Sequence, residues 1–106
     1  MINVKFFHSE NGAPSGFSFK GHAGYAAHGS DIVCAAISSV AYMTANTIIE
    51  IMKVDADVEV NEDGEMTLRV PEESAEKTKE LLLGLELHIN ELKKQYPKNV
   101  TITTEV

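Results

Sequence analysis

The strongest constraint on the fold is the run from Ile32 to Met52, in which Glu50 is the only charged residue. Small or apolar side chains occupy nearly every face of a helix built from this run, so we predict a helix that is mostly buried between a sheet and another element. Ser30 or Asp31 would serve as its N-cap. Because we expect no stretch to approach the roughly 18 consecutive apolar residues of a membrane span, we predict no contact with a membrane.

Alternating apolar residues on both sides of this run predict two β-hairpins. Asn and Gly residues, which favour turns, separate the two strands of each pair. The predicted strands cover residues 2–8, 17–20, 54–60 and 66–70.

A second helix is predicted from about Glu73 to Tyr96, with one stripe of Leu and Ile side chains. Acidic residues near its start and Lys93 and Lys94 near its end complement the helix dipole. A last strand follows from Val100. The order β-β-α-β-β-α-β predicts an α+β fold, in which a mixed β-sheet has two main helices packed on it. The length fits one domain over residues 1–106.

Composition limits the partners and the compartment. The formal net charge of −7 argues against direct binding to nucleic acid, because an acidic surface repels phosphate. The charge either maintains solubility or suits a basic partner. There is one cysteine, so no intrachain disulfide can form, and the N-terminus lacks the long apolar core of a signal peptide. These features predict a cytoplasmic protein.

The residues whose side chains could carry out a reaction surround the start of the first helix. Residues 21–30 include three glycines and predict a mobile loop. Cys34 follows in the first turn of the predicted helix, where the helix dipole stabilises an anion such as a thiolate. If the loop folds back over the helix, His22 reaches the sulfur and forms the nucleophile–base pair of a cysteine hydrolase. Backbone N–H groups around Cys34 would then form an oxyanion hole.

Two neighbouring residues allow two interpretations each. Asp31 is either the helix cap or the group that orients His22, as the third member of a catalytic triad does. Ser38, one turn after Cys34, either donates a hydrogen bond into the site or lets the helix pack closely. Cys34 itself is compatible with an inert packing role, which free cysteines in apolar helices often have.

Other classes of site remain open. His22, His28, Asp31 and Cys34 are all possible zinc ligands, although their spacing matches no standard zinc motif. A glycine-rich loop before a helix also resembles a phosphate site. However, no Lys or Arg lies between Lys20 and Lys53 to bind the phosphate.

The amino-acid sequence of this segment resembles the signature of the ribosomal-processing cysteine proteases, the Prp family. The matching stretches are GHAGY at residues 21–25 and GSDIVCAAIS at residues 29–38. The resemblance implies a cysteine endopeptidase that removes the N-terminal extension of a large-subunit ribosomal protein, its precursor being the substrate. It implies cleavage after paired phenylalanines, a homodimer, and no metal or other cofactor. A non-catalytic dimeric interaction domain in ribosome assembly is the alternative.

By this match, the family's catalytic cysteine corresponds to Cys34, the nucleophile, and its catalytic histidine corresponds to His22, the base. Asp31, Ser38 and Gly21 match the accompanying positions, and Gly21 is the glycine that lets the loop bend beside the histidine. We expect the loop from Gly24 to Gly29 to close over an extended peptide. The substrate-binding loop then includes Gly24, Tyr25 and Gly29, with Tyr25 either stacking on an aromatic substrate residue or anchoring the loop.

Overall fold

The computed structural model describes residues 1–21, 28–62 and 64–106, and for residues 28–31 it describes the backbone alone. Its strands are β1 (Ile2–His8), β2 (Pro14–Lys20), β3 (Asp57–Val60), β4 (Met66–Arg69) and β5 (Val100–Glu105). Helix α1 (His28–Asn46) continues into a π-helical turn (Thr47–Ile51), and helix α2 (Ala75–Gln95) follows a 3₁₀ turn (Glu72–Ser74). The predicted element order is therefore confirmed.

The five strands form one sheet in the order β3-β4-β2-β1-β5. β1 pairs antiparallel with β2 and parallel with β5, whereas β4 pairs antiparallel with both β2 and β3. Both predicted hairpins are present, and β4 joins the second hairpin to the first. This mixed sheet confirms the predicted α+β fold.

The core lies between one face of the sheet and the two helices. Residues that pair directly across strands share a face, so the apolar positions of all five strands point the same way. Each large side chain that is fully buried there contributes about 1.5–3 kcal/mol. The largest of these side chains are Phe17, Ile2, Ile37, Ile48, Met66, Leu68 and Ile89.

Two strands have different bounds from those predicted. β2 begins at Pro14 because residues 14–16 already pair with β1, although Pro and Gly favour turns. Gly16 is required there, since a Cβ at this position would lie 2.1 Å from the carbonyl oxygen of Leu68. β3 begins only at Asp57. The N–H of Val54 instead donates a hydrogen bond to the carbonyl of Ile48 and closes the end of the first helical segment.

Helix α1 also begins earlier than predicted, at His28. Ser30 and Asp31 are therefore inside the helix, and neither is its N-cap. A side-chain cap contributes about 1 kcal/mol. The additional backbone hydrogen bonds of a longer helix, each worth about 1 kcal/mol net, offset that contribution. The predicted loop over residues 21–30 is correspondingly wrong for residues 28–30.

The prediction that α1 is buried on most of its surface is wrong as well. Val33, Ile37 and Ala41 face the core, whereas Ile32 is 50% exposed and Met43 is 55% exposed. The segment Ile32–Ile51 is long and apolar enough to cross a membrane by length and composition, contrary to the expectation from sequence. A third of that segment is buried inside the fold, and a core helix meets the same criteria.

Candidate active site

The thiol of Cys34 packs against the backbone at the end of β2. A Cβ added at Gly21, the residue that follows β2, would lie 2.7 Å from the Sγ of Cys34 and 3.9 Å from Cγ1 of Ile2. Such a separation is too short for two non-bonded heavy atoms, so only glycine leaves room for the sulfur in this position. The end of β2 therefore lies directly against the sulfur of Cys34.

The residue that carries the thiol is only partly buried. Cys34 is half-buried and packs against the edge of the apolar core. Its location is the end of the sheet where β1 and β5 begin, because Ile2 pairs with Val100 there. A half-buried cysteine at this end of the sheet is partly open to solvent and packs on its other side against the core.

Cys34 lies in the second turn of α1 and not in the first, because the helix begins at His28. The effect of the helix dipole decreases beyond the first turn, so the dipole argument made from the sequence does not apply at this position. The N–H of Cys34 also falls among those that bond to a carbonyl four residues earlier in a regular helix. The proposed oxyanion hole at the helix end therefore needs donors other than this N–H.

Ser38 lies one turn after Cys34 and is half-buried. Residues four positions apart are neighbours on a helix surface, so both lie along one flank of α1. Tyr42 continues the same line, and its ring meets the ring of Phe19 edge to face with centroids 6.1 Å apart. Sequence reasoning did not identify Tyr42. Its spacing of eight residues from Cys34 was the available signal.

Several predicted site residues lie outside the part of the chain that the structure describes. His22, Gly24 and Tyr25 belong to residues 22–27, so their roles stay predictions. Asp31 and Gly29 are in the first turn of α1, where the backbone alone is described. Among the described side chains, no three His, Cys, Asp or Glu residues are grouped so that they could hold a metal ion.

A second concave surface lies at the opposite end of the sheet. Glu10, Glu72, Glu73 and Glu76 line it, together with Ser and Asn residues of the first hairpin turn. It is separated from Cys34 by the length of β1, which at about 3.3 Å per residue is roughly 20 Å. The described residues of its lining include no cysteine or histidine, so Cys34 is not part of this groove.

The family model described as "Cysteine protease Prp" matches residues 1–101. The chain belongs to the cysteine protease Prp family. It is accordingly a cysteine-type peptidase, which agrees with the half-buried cysteine at the end of the sheet. The resemblance that the sequence motifs indicated is thereby confirmed for the whole chain.

Individual Prp proteins are similar to this chain over nearly their full length. The ribosomal processing cysteine protease Prp of Bacillus subtilis (strain 168) is 26% identical over 111 residues, covering 100% of this chain and 99% of the relative. The crystal structure of the S. aureus ribosomal processing protease Prp with a substrate peptide superposes with a TM-score of 0.88 at 22% identity, covering 98% and 99% of the two chains. The structure of SMU.848 from Streptococcus mutans gives 0.83 at 27% identity, with coverage of 99% and 94%.

Proposed function

We propose that residues 1–106 form a single cytoplasmic endopeptidase domain in which Cys34 is the nucleophile and His22 is the general base. Its substrate is the precursor of a large-subunit ribosomal protein, from which it removes the N-terminal extension at a Phe-Phe-type site. The observation that carries the catalytic pair is the contact between Gly21 and the thiol. His22 follows Gly21 directly, and because consecutive Cα atoms are about 3.8 Å apart, we expect its side chain to be able to reach the sulfur.

The chemistry follows the steps of a cysteine hydrolase. His22 accepts the proton of Cys34, and the thiolate attacks the carbonyl carbon of the scissile peptide bond. The C–N bond then breaks, protonated His22 donates its proton to the leaving amine, and an acyl-enzyme thioester remains. Water, deprotonated by His22, attacks the thioester and releases the new carboxylate and the free thiol. Each proton that His22 accepts is returned, so no cofactor is required.

The identity of the substrate rests on relatives and on charge. The similar protein of B. subtilis is named a ribosomal processing protease, and the S. aureus protease has been crystallised with a covalently linked product peptide. The net charge of −7 suits a basic ribosomal protein, since opposite charges accelerate the encounter of two proteins.

We assign supporting roles to the residues that match the family motif. Asp31 lies about one turn before Cys34, and because the helix start excludes a cap role, we propose that it orients His22. Ser38 would hydrogen-bond into the site from the turn after Cys34. Gly24, Tyr25 and Gly29 would form a loop that closes over the peptide, so that the site is complete only with substrate bound.

We also propose a homodimer that forms through the exposed side of α1. This surface, here called the α1 crest, has no charged residue and consists of Ile32, Ala35, Ser39, Met43 and Asn46. Two copies with a net charge of −7 repel one another over most of their surfaces, so an uncharged face is where they can meet. A two-fold axis through the α1 crest would pair it with itself.

Cleavage of the precursor protein by the wild type and by His22→Ala tests this function. His88→Ala is the matched control, because His88 is exposed on α2 and belongs to no part of the proposed site. We expect the wild type and His88→Ala to release the extension at the same rate, and His22→Ala to be slower by about 10²–10⁴-fold. Equal rates for all three proteins would exclude His22 as the base, and failure of the wild type to release the extension would exclude the substrate.

A further inference from the structure

We infer that Tyr42 forms the subsite for an aromatic side chain of the substrate, on the flank of α1 that also carries Cys34. This inference rests on the proposed peptidase function and deepens it by naming a specificity residue. The surface, here called the Tyr42 shelf, consists of the exposed Tyr42 on α1 and Val60 on β3, with the buried Phe19 of β2 and Met66 of β4 between them.

The position of Tyr42 relative to the nucleophile is the first argument. Cys34, Ser38 and Tyr42 are spaced four residues apart, and each step of four advances only about 40° around a helix. They therefore lie along one flank of α1, between the buried side and the exposed crest. Eight residues rise about 12 Å, and long helical side chains lean back toward the N-terminus, so the Tyr42 ring extends toward the thiol.

The second argument is the exposure of this surface. Tyr42 is 46% exposed, although its ring packs edge to face against the buried Phe19. Phe19 pairs with Met66, and Met66 pairs with Val60, so the three share one face of the sheet. Val60 is 57% exposed at the sheet edge. Phe19 and Met66 are themselves buried, so the exposed apolar area lies at Tyr42, on the flank of α1, and at Val60, on the edge strand.

The third argument is the chemistry of the shelf. All four of its residues lack charge, in a chain whose formal net charge is −7. An exposed phenol ring already held edge-on by Phe19 offers its remaining faces and edges to another ring, and aromatic rings prefer such offset or perpendicular contacts. An extended peptide advances about 3.3 Å per residue, so a residue within about four positions of the scissile bond reaches the shelf.

A measurement of peptide binding tests this inference separately from the proposed function. Two extended peptides would be compared, identical except that one has Phe and the other Ala at each of the four positions before the scissile bond. Their dissociation constants would be measured by fluorescence anisotropy in the Cys34→Ala background, where no cleavage can occur. Tyr42→Ala, Tyr42→Phe and Leu87→Ala would be added to it. Leu87 is the matched control because it is 65% exposed on α2.

We expect Tyr42→Ala to weaken binding of the Phe peptide about tenfold and to leave the Ala peptide unchanged, whereas Tyr42→Phe retains the preference because it retains the ring. Leu87→Ala should bind both peptides as the parent does. Thermal unfolding and light scattering would establish that the variants stay folded and keep their oligomeric state. An equal loss for both peptides, no loss for either, or no binding of the Phe peptide to the parent would overturn the inference.

Cleavage by the same variants with Cys34 restored then tests the proposed function independently. Failure to cleave, together with binding that depends on Tyr42, would refute the peptidase assignment and keep the aromatic subsite. Cleavage whose preference for Phe over Ala is unchanged in Tyr42→Ala would keep the peptidase assignment and refute the subsite.

Discussion

Replacing Gly21 by alanine adds a methyl carbon 2.7 Å from the Sγ of Cys34. Optimal contacts between heavy atoms lie at about 3.5–4.0 Å, so the two atoms must separate by roughly 1 Å. The sulfur is the end of a short side chain and can rotate about χ1, whereas the backbone of Gly21 is tied to β1 through β2. We therefore expect the thiol of Cys34 to move and the sheet to stay in place.

This displacement affects activity more than stability. A misplacement of about 1 Å at a reacting atom costs roughly 10²-fold in rate. Overpacking a core typically costs about 1–3 kcal/mol of stability. Because only one side chain has to rotate here, we expect a cost near the lower end of that range. We expect Gly21→Ala to lower kcat/KM about 100-fold and to lower the free energy of unfolding by about 1 kcal/mol.

Peptide cleavage and urea denaturation on the same preparation measure the two effects. Gly84→Ala is the matched control, since the same substitution in the middle of α2 meets no atom within 4 Å. That change should leave kcat/KM unchanged and stabilise the protein by up to about 1 kcal/mol through helix propensity. If Gly21→Ala cleaves at the wild-type rate, the close contact does not position the thiol and the reasoning is refuted.

Three further predictions concern stability, assembly and cofactors. Glu86→Gln should lower the free energy of unfolding by about 1 kcal/mol in urea denaturation, because the Glu86 carboxylate accepts a hydrogen bond from His8 at 2.5 Å between α2 and the end of β1. The more exposed pair of Glu91 and Lys94 supplies the control, and a Glu91→Gln variant as destabilised as Glu86→Gln would contradict this expectation. Met43→Glu should convert the proposed dimer into monomers in analytical ultracentrifugation, since it places a charge on the α1 crest, whereas an unchanged sedimentation coefficient would exclude this interface. Incubation with EDTA should leave cleavage unaffected, and a loss restored by zinc would favour the metal alternative.

The types of the elements were predictable because the spacing of apolar residues within a segment indicates whether it forms a helix or a strand. Apolar residues alternate along β1 and β4, and a stripe of Leu and Ile runs along α2, so one buried face per element was readable from the sequence. The bounds of β2 and β3 were not readable, since they depend on partners elsewhere in the chain. From the sequence, Gly16 was interpreted as a turn residue. In the structure it lies in β2, where the carbonyl oxygen of Leu68 occupies the space that a Cβ would need.

The site was predictable in part for the same reason. The motif identified Cys34 and its family, but the contact between Gly21 and the thiol arises from the packing of α1 against the end of β2, which no local pattern records. The exposed side of α1 was missed because a run of small and apolar residues does not distinguish a core face from an outer face. The pairing of His22 with Cys34 stays a prediction, because His22 lies outside the part of the chain that is described.

The central claim is that the thiol of Cys34 cleaves a peptide bond after paired phenylalanines. The most direct test incubates a peptide spanning such a site with the wild type and with Cys34→Ala, and reads the products by mass spectrometry. We predict a single cut after the second phenylalanine with the wild type and an intact peptide with the variant. The same cut with both proteins would exclude Cys34 as the nucleophile, and an intact peptide or a cut elsewhere with the wild type would contradict the proposed specificity.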